Sequence, residues 1–243
     1  MLRYQQRADE VAITLPLGET VVFRLLGQEF SENYASCYVI KDAGDDPDVT
    51  NGAEIHVTVT LEHRPPSPQS SPTGGEGALA EIPPPLMEAG EGEGVNIIIQ
   101  GGVGIGRITK PGLAVPVGEW AINPIPRKMI TEAVCEVFTL HPSLFTPHPF
   151  ALTPQVTISI PNGEELAKKT LNARLGIIGG LSILGTTGIV KPISAQAWTD
   201  TIEAAIDVAL ACGCEAVVLS TGRTSELAAQ HFFPGHFPRR LIS

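Results

Sequence analysis

The segment 100–130, here called the central segment, reads QGGVGIGRITKPGLAVPVGEWAINPIPRKMI and holds too much glycine and proline for a continuous helix or strand. Its glycines come first and its prolines follow: Gly101, Gly102, Gly104, Gly106, Pro111, Pro116, Pro124 and Pro126. A glycine backbone has no Cβ and can approach a ligand closely. We therefore predict a stiff, shaped loop between the apolar run Val95 to Ile99 and a following helix, and expect it to form the working surface.

Composition excludes several classes of protein. A formal charge of −10 disfavours nonspecific nucleic-acid binding, which requires a basic face. No apolar run approaches the roughly 20 residues of a membrane span, and the polar start MLRYQQRADE has no signal core. The four cysteines have neither zinc nor disulfide spacing. We expect a cytosolic protein with reduced thiols and no metal site.

The first part of the chain has the patterns of strands. Alternation in Val11 to Leu17, a turn at Gly18 and the run Val21 to Leu26 predict a β-hairpin, and a third strand ends at Ile40. Ile55 to Leu61 alternates as a half-buried strand, which turns His56 away from the core as a solvated side chain.

The middle of the chain mixes low-complexity sequence with regular elements. Residues 64–94, with PPSPQSSPTGGEG and GEGEG, predict a flexible insertion. Pro126 suits a helix start, and apolar residues from Met129 to Phe138 recur at helical spacing. Gln155 to Ile160 predicts a strand. Asn162 and Glu165 resemble a capping box for a short helix, with Glu164/Lys168 and Glu165/Lys169 as pairs.

From Arg174 onwards the pattern is typical of a parallel sheet. LGIIGGLSIL lacks alternation and predicts a strand covered on both faces. Ser194 can cap a helix that ends at Gly213, Glu215 to Leu219 predicts a second buried strand, and STGRTSE leads into another helix. Strand, helix and strand form a β-α-β unit, although two strands are too few for an independent sheet.

Four stretches carry candidate chemistry. KDAGDDPDVTNGAE contains Asp42 and three further aspartates, but calcium-loop spacing fails because Asn51 stands where glycine is required, and a solvated loop is the alternative. The glycines of the central segment only loosely resemble a dinucleotide fingerprint, since Pro111 prevents an immediate helix, and a structural turn remains open. GTTG (185–188) and STGRTSE (220–226) each follow a predicted strand. Ligands of α/β sheets bind at such strand ends, so both loops are candidates for a binding site, with a structural turn as the alternative for each.

Longer motifs point to one family. Four motifs occur in this order along the chain: VIKDAGDDPDVTNGAEI, the central segment from GGVGIG onwards, LGIIGGLSILGTTGIVKPIS and STGRTSE. Together they resemble the CbiD family, the cobalt-precorrin-5B C-1 methyltransferases of anaerobic cobalamin biosynthesis. The resemblance implies methyl transfer from S-adenosylmethionine to a ring carbon of a cobalt-containing corrinoid precursor, giving cobalt-precorrin-6A. It also implies an α+β first domain followed by an α/β second domain with a parallel sheet.

The site residues are hypotheses built on this resemblance. Because the corrinoid precursor carries many carboxylates, an acidic protein must concentrate positive charge locally. The substrate-binding candidates are Gly102, Gly104, Gly106, Arg107, Lys110, Arg127 and Lys128. The candidates for S-adenosylmethionine are Gly185, Thr186, Thr187, Gly188, Thr221, Gly222, Arg223 and Glu226. The aspartate loop could instead attract the sulfonium, with Asp45, Asp46 and Asp48 as catalytic candidates, and the sequence leaves this choice open.

We divide the chain into an α+β domain, residues 1–172, and residues 173–243, the start of an α/β domain of order β-α-β-α. Against the family pattern we expect truncation at both ends. Two alternatives to the methyltransferase are therefore a non-catalytic or decayed fragment that keeps part of the binding surface, and an NAD-type oxidoreductase argued from Gly102, Gly104 and Gly106 alone.

Overall fold

The computed structural model describes residues 6–64, 97–139, 151–185, 188–190 and 194–232. The strands are β1 Glu10–Thr14, β2 Thr20–Arg24, β3 Leu26–Phe30, β4 Tyr34–Ile40, β5 Glu54–Arg64, β6 Ile98–Gly101, β7 Arg107–Ile108, β8 Ala151–Ser159 and β9 Ile177–Ile178. The helices are α1 Pro124–Thr139, α2 Gly163–Ala167, α3 Ala195–Ala211 and α4 Arg223–Phe232. Residues 65–96, which include all but the first residue of the predicted insertion 64–94, lie outside the described residues.

A five-stranded sheet of order β3-β4-β5-β8-β6 organises the fold. Its neighbours are antiparallel except β6 and β8, which run parallel, so the mixed α+β character expected from the sequence is confirmed. The hairpin of β1 and β2 is also confirmed, with a positive φ at Gly18 in its turn. The sequence analysis missed β3, because the run Val21 to Leu26 hid the break between β2 and β3.

One face of the sheet packs into the main core. On β8 the side chains of Val156 and Ile158 are buried, whereas Thr157 between them is partly exposed, as period-2 alternation requires. The main cluster joins this face to the central segment and to later residues: Ala53, Ile105, Ile122, Ile158, Ile160, Ala167 and Leu181. A second cluster consists of Ile108, Val115, Ala121 and Ile177.

The predicted strand covered on both faces, LGIIGGLSIL, is wrong. Only the two residues of β9 form a strand, paired antiparallel with β7, and single parallel bridges join Ile105 to Leu181 and Ile122 to Ile183. Ile178 is 52% exposed, whereas Ile177 beside it is buried. Positive φ at Gly176 and Gly179 breaks the run, so these residues wrap against the central segment instead of entering a sheet.

The two last helices are confirmed, but the strand between them is not. Ser194 caps α3 by accepting a hydrogen bond from the Ala197 N–H (3.2 Å), and Gly213 follows the helix with positive φ. Glu215 to Leu219 forms no strand, and Leu219 is 71% exposed. No other strand among the described residues pairs with it, and an unpaired strand cannot satisfy its backbone. The predicted β-α-β unit is therefore absent from this part of the structure.

Three smaller predictions need correction. α1 begins at Pro124, ahead of Pro126. The Asn162 side chain makes no capping hydrogen bond because its backbone is not extended (φ −95°, ψ 12°), and Lys168 pairs with Glu165 at i,i+3 spacing. His56 does point away from the core, but it stacks on Tyr38 with ring centres 4.6 Å apart instead of being fully solvated.

None of the helices within the described residues has both the length and the apolar character needed to cross a membrane.

Candidate functional site

Two of the candidate segments, together with the residues that follow β8, meet at one end of the five-stranded sheet. The aspartate loop, residues 41–53, joins the end of β4 to the start of β5. The central segment leaves the end of β6, and residues 160–162 leave the end of β8 beside it, since β6 and β8 are parallel. The register pairs His56 near the start of β5 with Ser159 at the end of β8. The topology therefore gathers these loops at a common end, which is the natural place for a site.

The glycines of the central segment bring backbone against the protein's own backbone. A methyl group added at Gly104, which has φ +74°, would overlap the carbonyl oxygen of Ile160 and lie 2.9 Å from the Cα of Gly163. At Gly106 it would lie 2.6 Å from the Ile177 side chain. The Leu181 N–H donates to the Gly104 carbonyl (2.8 Å).

At Gly104 and Gly106 the space that a side chain would need is therefore filled by the chain itself, as in a structural turn, and a ligand contact there stays a prediction. Gly102 is similar, because an added methyl there would overlap the Ser159 hydroxyl. Within the continuously described residues 97–139 the first helix begins at Pro124, so these glycines do not open a helix as a dinucleotide fingerprint must. The oxidoreductase alternative loses its basis.

Arg107 lies at the surface and stacks on an aromatic ring. Its guanidinium carbon is 3.9 Å from the centre of the Trp120 ring, and its Nη1 donates to the Gly118 carbonyl (2.6 Å). The Trp120 ring also lies against Gly101, where an added methyl group would be 2.5 Å from the ring. A guanidinium has five N–H donors, so an exposed Arg107 held in this way can still present donors to a carboxylate.

Arg127 is largely buried and contacts the backbone of Trp120, the residue on which Arg107 stacks. Its Nε donates to the Ile122 carbonyl (2.9 Å) and its Nη2 to the Trp120 carbonyl (3.3 Å). Nη2 is also 3.5 Å from the carboxylate of Glu119, and both side chains are less than one-fifth exposed. Burial lowers the pKa of Arg127, and the Glu119 charge opposes this shift. Arg127 therefore fixes the backbone that carries Trp120, and its contact with a substrate stays a prediction.

The two lysines of the set occupy different surroundings. The Lys110 ammonium donates to the Arg174 carbonyl (3.1 Å), and its alkyl chain covers Gly176. Lys128 is 76% exposed and is 3.8 Å from Glu132 one turn along α1. Arg107 and Arg127 thus both contact Trp120, and Lys128 follows Arg127 near the start of α1. Lys110 is linked through Arg174 to α4 instead.

The aspartate loop is held by its own side chains. Lys41 forms an ion pair with Asp48 and donates to the Thr50 hydroxyl (2.6 Å), and Asp48 accepts from the Thr50 N–H (2.7 Å). Partial burial alone would raise the pKa of Asp48, but the hydrogen bonds from Lys41 and Thr50 outweigh it and hold the pKa below its usual value. Asp42 accepts from the Gly44 N–H (2.8 Å), while Asp45 is exposed.

In the part of the chain that the structure describes, no group of three or more acidic, histidine or cysteine side chains is placed to hold a metal ion. The contacts of Asp48 with Lys41 and Thr50 give it a structural role in the loop. Catalytic roles for Asp45, Asp46 and Asp48 stay predictions.

Asp48→Asn is expected to lower the free energy of unfolding by about 1 kcal/mol at neutral pH, after allowance for partial exposure of the ion pair. The folded-state pKa of Asp48 is below the unfolded value, so its contribution is present above the unfolded pKa and is lost as pH falls through the folded pKa. Urea unfolding from pH 7 to pH 2 measures this: the variant should lose less stability than the wild type on acidification. Asp45→Asn, at an exposed position of the same loop, is the control, and equal pH profiles for the wild type and Asp48→Asn would contradict the assignment.

The two loops predicted for S-adenosylmethionine contact different parts of the protein. A methyl group added at Gly185 would lie 3.0 Å from Pro126 at the start of α1, and one added at Gly188 would lie 2.7 Å from Leu15. Thr186 and Thr187 lie outside the described residues. Thr221, Gly222 and Arg223 are exposed around the start of α4, and Glu226 is 3.3 Å from the Arg174 guanidinium.

Gly185 thus contacts the central segment directly, at Pro126. Glu226 is linked to that segment only through Arg174, whose carbonyl accepts from Lys110.

Three residues that the sequence analysis did not single out complete these contacts: Glu119, Trp120 and Arg174. Trp120 is the ring on which Arg107 stacks, Glu119 is the charge partner of Arg127, and Arg174 joins the central segment to α4. The dipeptide Glu-Trp inside a glycine–proline segment was the available signal, since a large aromatic residue there needs a packing partner.

The model of the CbiD family matches residues 1–192. The chain is 58% identical to a cobalt-precorrin-5B C(1)-methyltransferase of Geobacter sulfurreducens, over 98% of the chain and 58% of that protein. It is 60% identical to the protein of that name from Geotalea daltonii, over 95% of the chain and 55% of the relative. The chain thus spans less than three-fifths of these relatives.

Among solved structures, the chain is similar to the 1.9 Å crystal structure of the cobalamin biosynthesis protein cbiD from Archaeoglobus fulgidus. The sequence identity is 24% and the TM-score is 0.47, with 95% of this chain and 60% of that chain covered.

Proposed function

This chain belongs to the CbiD family, and on that premise we propose that it takes part in transferring a methyl group from S-adenosylmethionine to C-1 of cobalt-precorrin-5B. The product would be cobalt-precorrin-6A of anaerobic cobalamin biosynthesis, and the compartment would be the cytoplasm. The observation that carries the proposal is the high identity, along nearly the whole chain, to relatives that bear this name.

The arrangement around Trp120 supports a role in holding a carboxylate-rich substrate. Arg107 has its guanidinium plane fixed by the indole ring and one N–H fixed on Gly118, so its free edge is preorganised. Arginine suits bidentate contact with a carboxylate. The exposed Lys128 adds positive charge near the start of α1. Arg127 would act through the backbone of Trp120 by keeping this surface in place.

The start of α4 fits the carboxylate of S-adenosylmethionine. Its first turn directs backbone N–H groups outward, and Thr221 and Gly222 are exposed immediately before it. Glu226, by contrast, already has Arg174 as a partner, so a hydroxyl or amine of the donor would compete with that ion pair. When bound, the donor supplies an electrophilic methyl group on a sulfonium.

In this mechanism the protein's own contribution is alignment. Displacement at the methyl carbon requires donor and acceptor in line, and good alignment lowers a barrier by on the order of 7 to 11 kcal/mol in the best cases. The tightly packed backbone at Gly104 and the supported Arg107 are rigid elements of the kind that such positioning needs.

The test is a methyl-transfer assay on the chain as it exists. Cobalt-precorrin-5B and methyl-labelled S-adenosylmethionine are incubated with the protein, and the corrinoid is analysed by mass spectrometry, with the Geobacter sulfurreducens relative as a parallel control. One labelled methyl group on the corrinoid is expected. Binding of the precursor without label would identify the non-catalytic alternative, and absence of both binding and label would contradict the proposal.

Arg107→Ala is expected to weaken binding of cobalt-precorrin-5B by about tenfold or more, because a charge-assisted hydrogen bond to a carboxylate is worth about 1.5–3 kcal/mol. Arg107→Lys is the matched control, which keeps the charge but loses the flat, stacked guanidinium, and it should recover only part of the affinity. Equilibrium titration followed by absorbance measures both. Unchanged affinity in Arg107→Ala would remove Arg107 from the site.

A further inference from the structure

The two cysteines at the end of α3 lie on either side of the glycine that follows this helix. Cys212 is the C-cap residue (φ −81°, ψ 0°), Gly213 has φ +75°, and Cys214 comes next. Both cysteines are exposed and neither is in a disulfide, whereas the other two cysteines, Cys37 and Cys135, are partly buried. The chain therefore presents two accessible thiols at a spacing of two residues.

Hydrogen bonds at this helix end determine where the two thiols lie. The Cys214 N–H donates to the Ala209 carbonyl (2.9 Å), and the Gly213 N–H donates to the Leu210 carbonyl (2.9 Å). These are the two bonds of the Schellman motif, in which the residue after the left-handed glycine lies next to the residue three positions before the C-cap. Cys212 lies beside that same residue, because helical positions i and i+3 are neighbours. The motif therefore brings both thiols to the side of the helix that carries Ala209.

Two thiols in this arrangement can reach one ion. Two residues of chain span at most about 7 Å, which limits the distance between the Cα atoms of Cys212 and Cys214. Zinc–thiolate bonds are about 2.3 Å long, and two bonds of that length in line hold their sulfurs about 4.6 Å apart. Nothing lies within 4 Å of the position that a methyl group on Gly213 would take, so the turn between the cysteines is open.

The electrostatic surroundings favour a positive ion. Residues 195–215 include four acidic residues, Asp200, Glu203, Asp207 and Glu215, and no lysine, arginine or histidine. The carboxyl-terminal end of a helix carries partial negative charge on its last carbonyl groups, and the last turn of α3 has no basic side chain to offset it. This end of α3 therefore attracts cations and repels anions.

The number of donors decides which kind of cation fits. Structural zinc sites and iron–sulfur clusters use four protein ligands, and within the described residues no group of three or more acidic, histidine or cysteine side chains is placed to hold a metal ion. Thiolates select soft ions, and among these Cu(I) is satisfied by two thiolates in line. The expectation of no metal site rested on zinc and disulfide spacing, which a two-coordinate ion does not require.

We propose that Cys212 and Cys214 bind one Cu(I) ion between their sulfurs at the end of α3. As the two Cu–S bonds form, both thiols lose their protons to solvent, and the ion keeps its oxidation state. The site lies one turn after Val208, the buried residue of α3, which packs against Gly112 of the central segment. The proposal is independent of methyl transfer, because it follows from the two thiols and the helix end alone.

The experiment offers Cu(I) to the reduced full chain under anaerobic conditions, as its coloured complex with the chelator bicinchoninate. Loss of colour measures the ion that the protein takes up, and gel filtration gives the number of chains for each ion. Cys212→Ser and Cys214→Ser each remove one sulfur at an exposed position. Cys135→Ser, at a partly buried position of α1, is the matched control. Circular dichroism confirms that each variant is folded.

We expect the wild type and Cys135→Ser to take up one Cu(I) ion per chain. Affinity should fall by about a hundredfold or more in both Cys212→Ser and Cys214→Ser, because a second thiolate tethered nearby acts at an effective concentration that a free thiol does not reach. No uptake by the wild type, unchanged affinity in either of these two variants, or an equal fall in Cys135→Ser would overturn the proposal. One ion shared by two chains would assign the thiols to a bridge between copies and would also overturn it.

Discussion

Replacing Gly104 by alanine is expected to lower the free energy of unfolding by about 2–5 kcal/mol, the sum of overpacking at about 1–3 kcal/mol and left-handed backbone strain at about 1–2 kcal/mol. The added methyl group would overlap the Ile160 carbonyl and press on the backbone of Gly163. Neither neighbour is the end of a flexible side chain, so relief requires movement of the backbone. Since domains have only about 5–15 kcal/mol of stability, a large part of the fold's margin would be lost.

The matched control for this substitution is Gly118→Ala. Gly118 lies in the same segment and has φ +92°, but nothing lies within 4 Å of the position that its methyl group would take. Its expected cost is about 1–2 kcal/mol, the left-handed penalty alone. Urea unfolding monitored by circular dichroism measures both variants. Equal losses would show that close backbone approach at Gly104 contributes nothing to stability.

Arg127→Ala is expected to lower the free energy of unfolding by about 2–4 kcal/mol, because it leaves the largely buried Glu119 carboxylate and the Ile122 carbonyl without their partner. The Trp120 carbonyl loses its longer hydrogen bond but keeps the one from the Ile122 N–H (2.6 Å). The next residue provides the control: Lys128→Ala removes an exposed pair with Glu132 and should change stability by less than about 0.5 kcal/mol. Thermal and urea unfolding of the two variants side by side test the difference.

A second measurement separates support from direct binding. If Arg127 only holds the Trp120 backbone, Arg127→Ala should also make the Trp120 indole more accessible to a neutral fluorescence quencher, without any substrate present. The measurement is made in a Trp198→Phe background, because Trp198 is the other tryptophan and is 69% exposed. Stability equal to that of Lys128→Ala, with unchanged quenching, would contradict the structural role.

The strands of the first part could be predicted because their signals are local. Alternation in Ile55 to Leu61 and in Gln155 to Ile160 reflects one face on a core and one face outside it, and the structure has β5 and β8 there. The same local logic failed at LGIIGGLSIL. Those apolar residues are distributed between a core made with the central segment and solvent, which is a tertiary arrangement that no short window contains.

The site could be predicted in part. Spacing and residue type brought attention to the central segment, and Arg107 and Arg127 do lie around one common residue, Trp120. The contact of Gly104 with Ile160 could not be predicted, because close approach to a ligand and close approach to backbone require the same residue type. Ligand contacts at these glycines stay a prediction.

The junction at Gly104 has a consequence for how the chain reaches this shape. It joins segments around residues 104, 163 and 180, so two long loops must close before any of its contacts can form. Neighbouring hairpins such as β1–β2 need no such closure and can pair early. Folding rates fall as contacts become more distant in sequence. The surface around Trp120 is therefore expected to form last during folding. In a newly made chain the hairpin strands would pair well before this surface could bind a ligand.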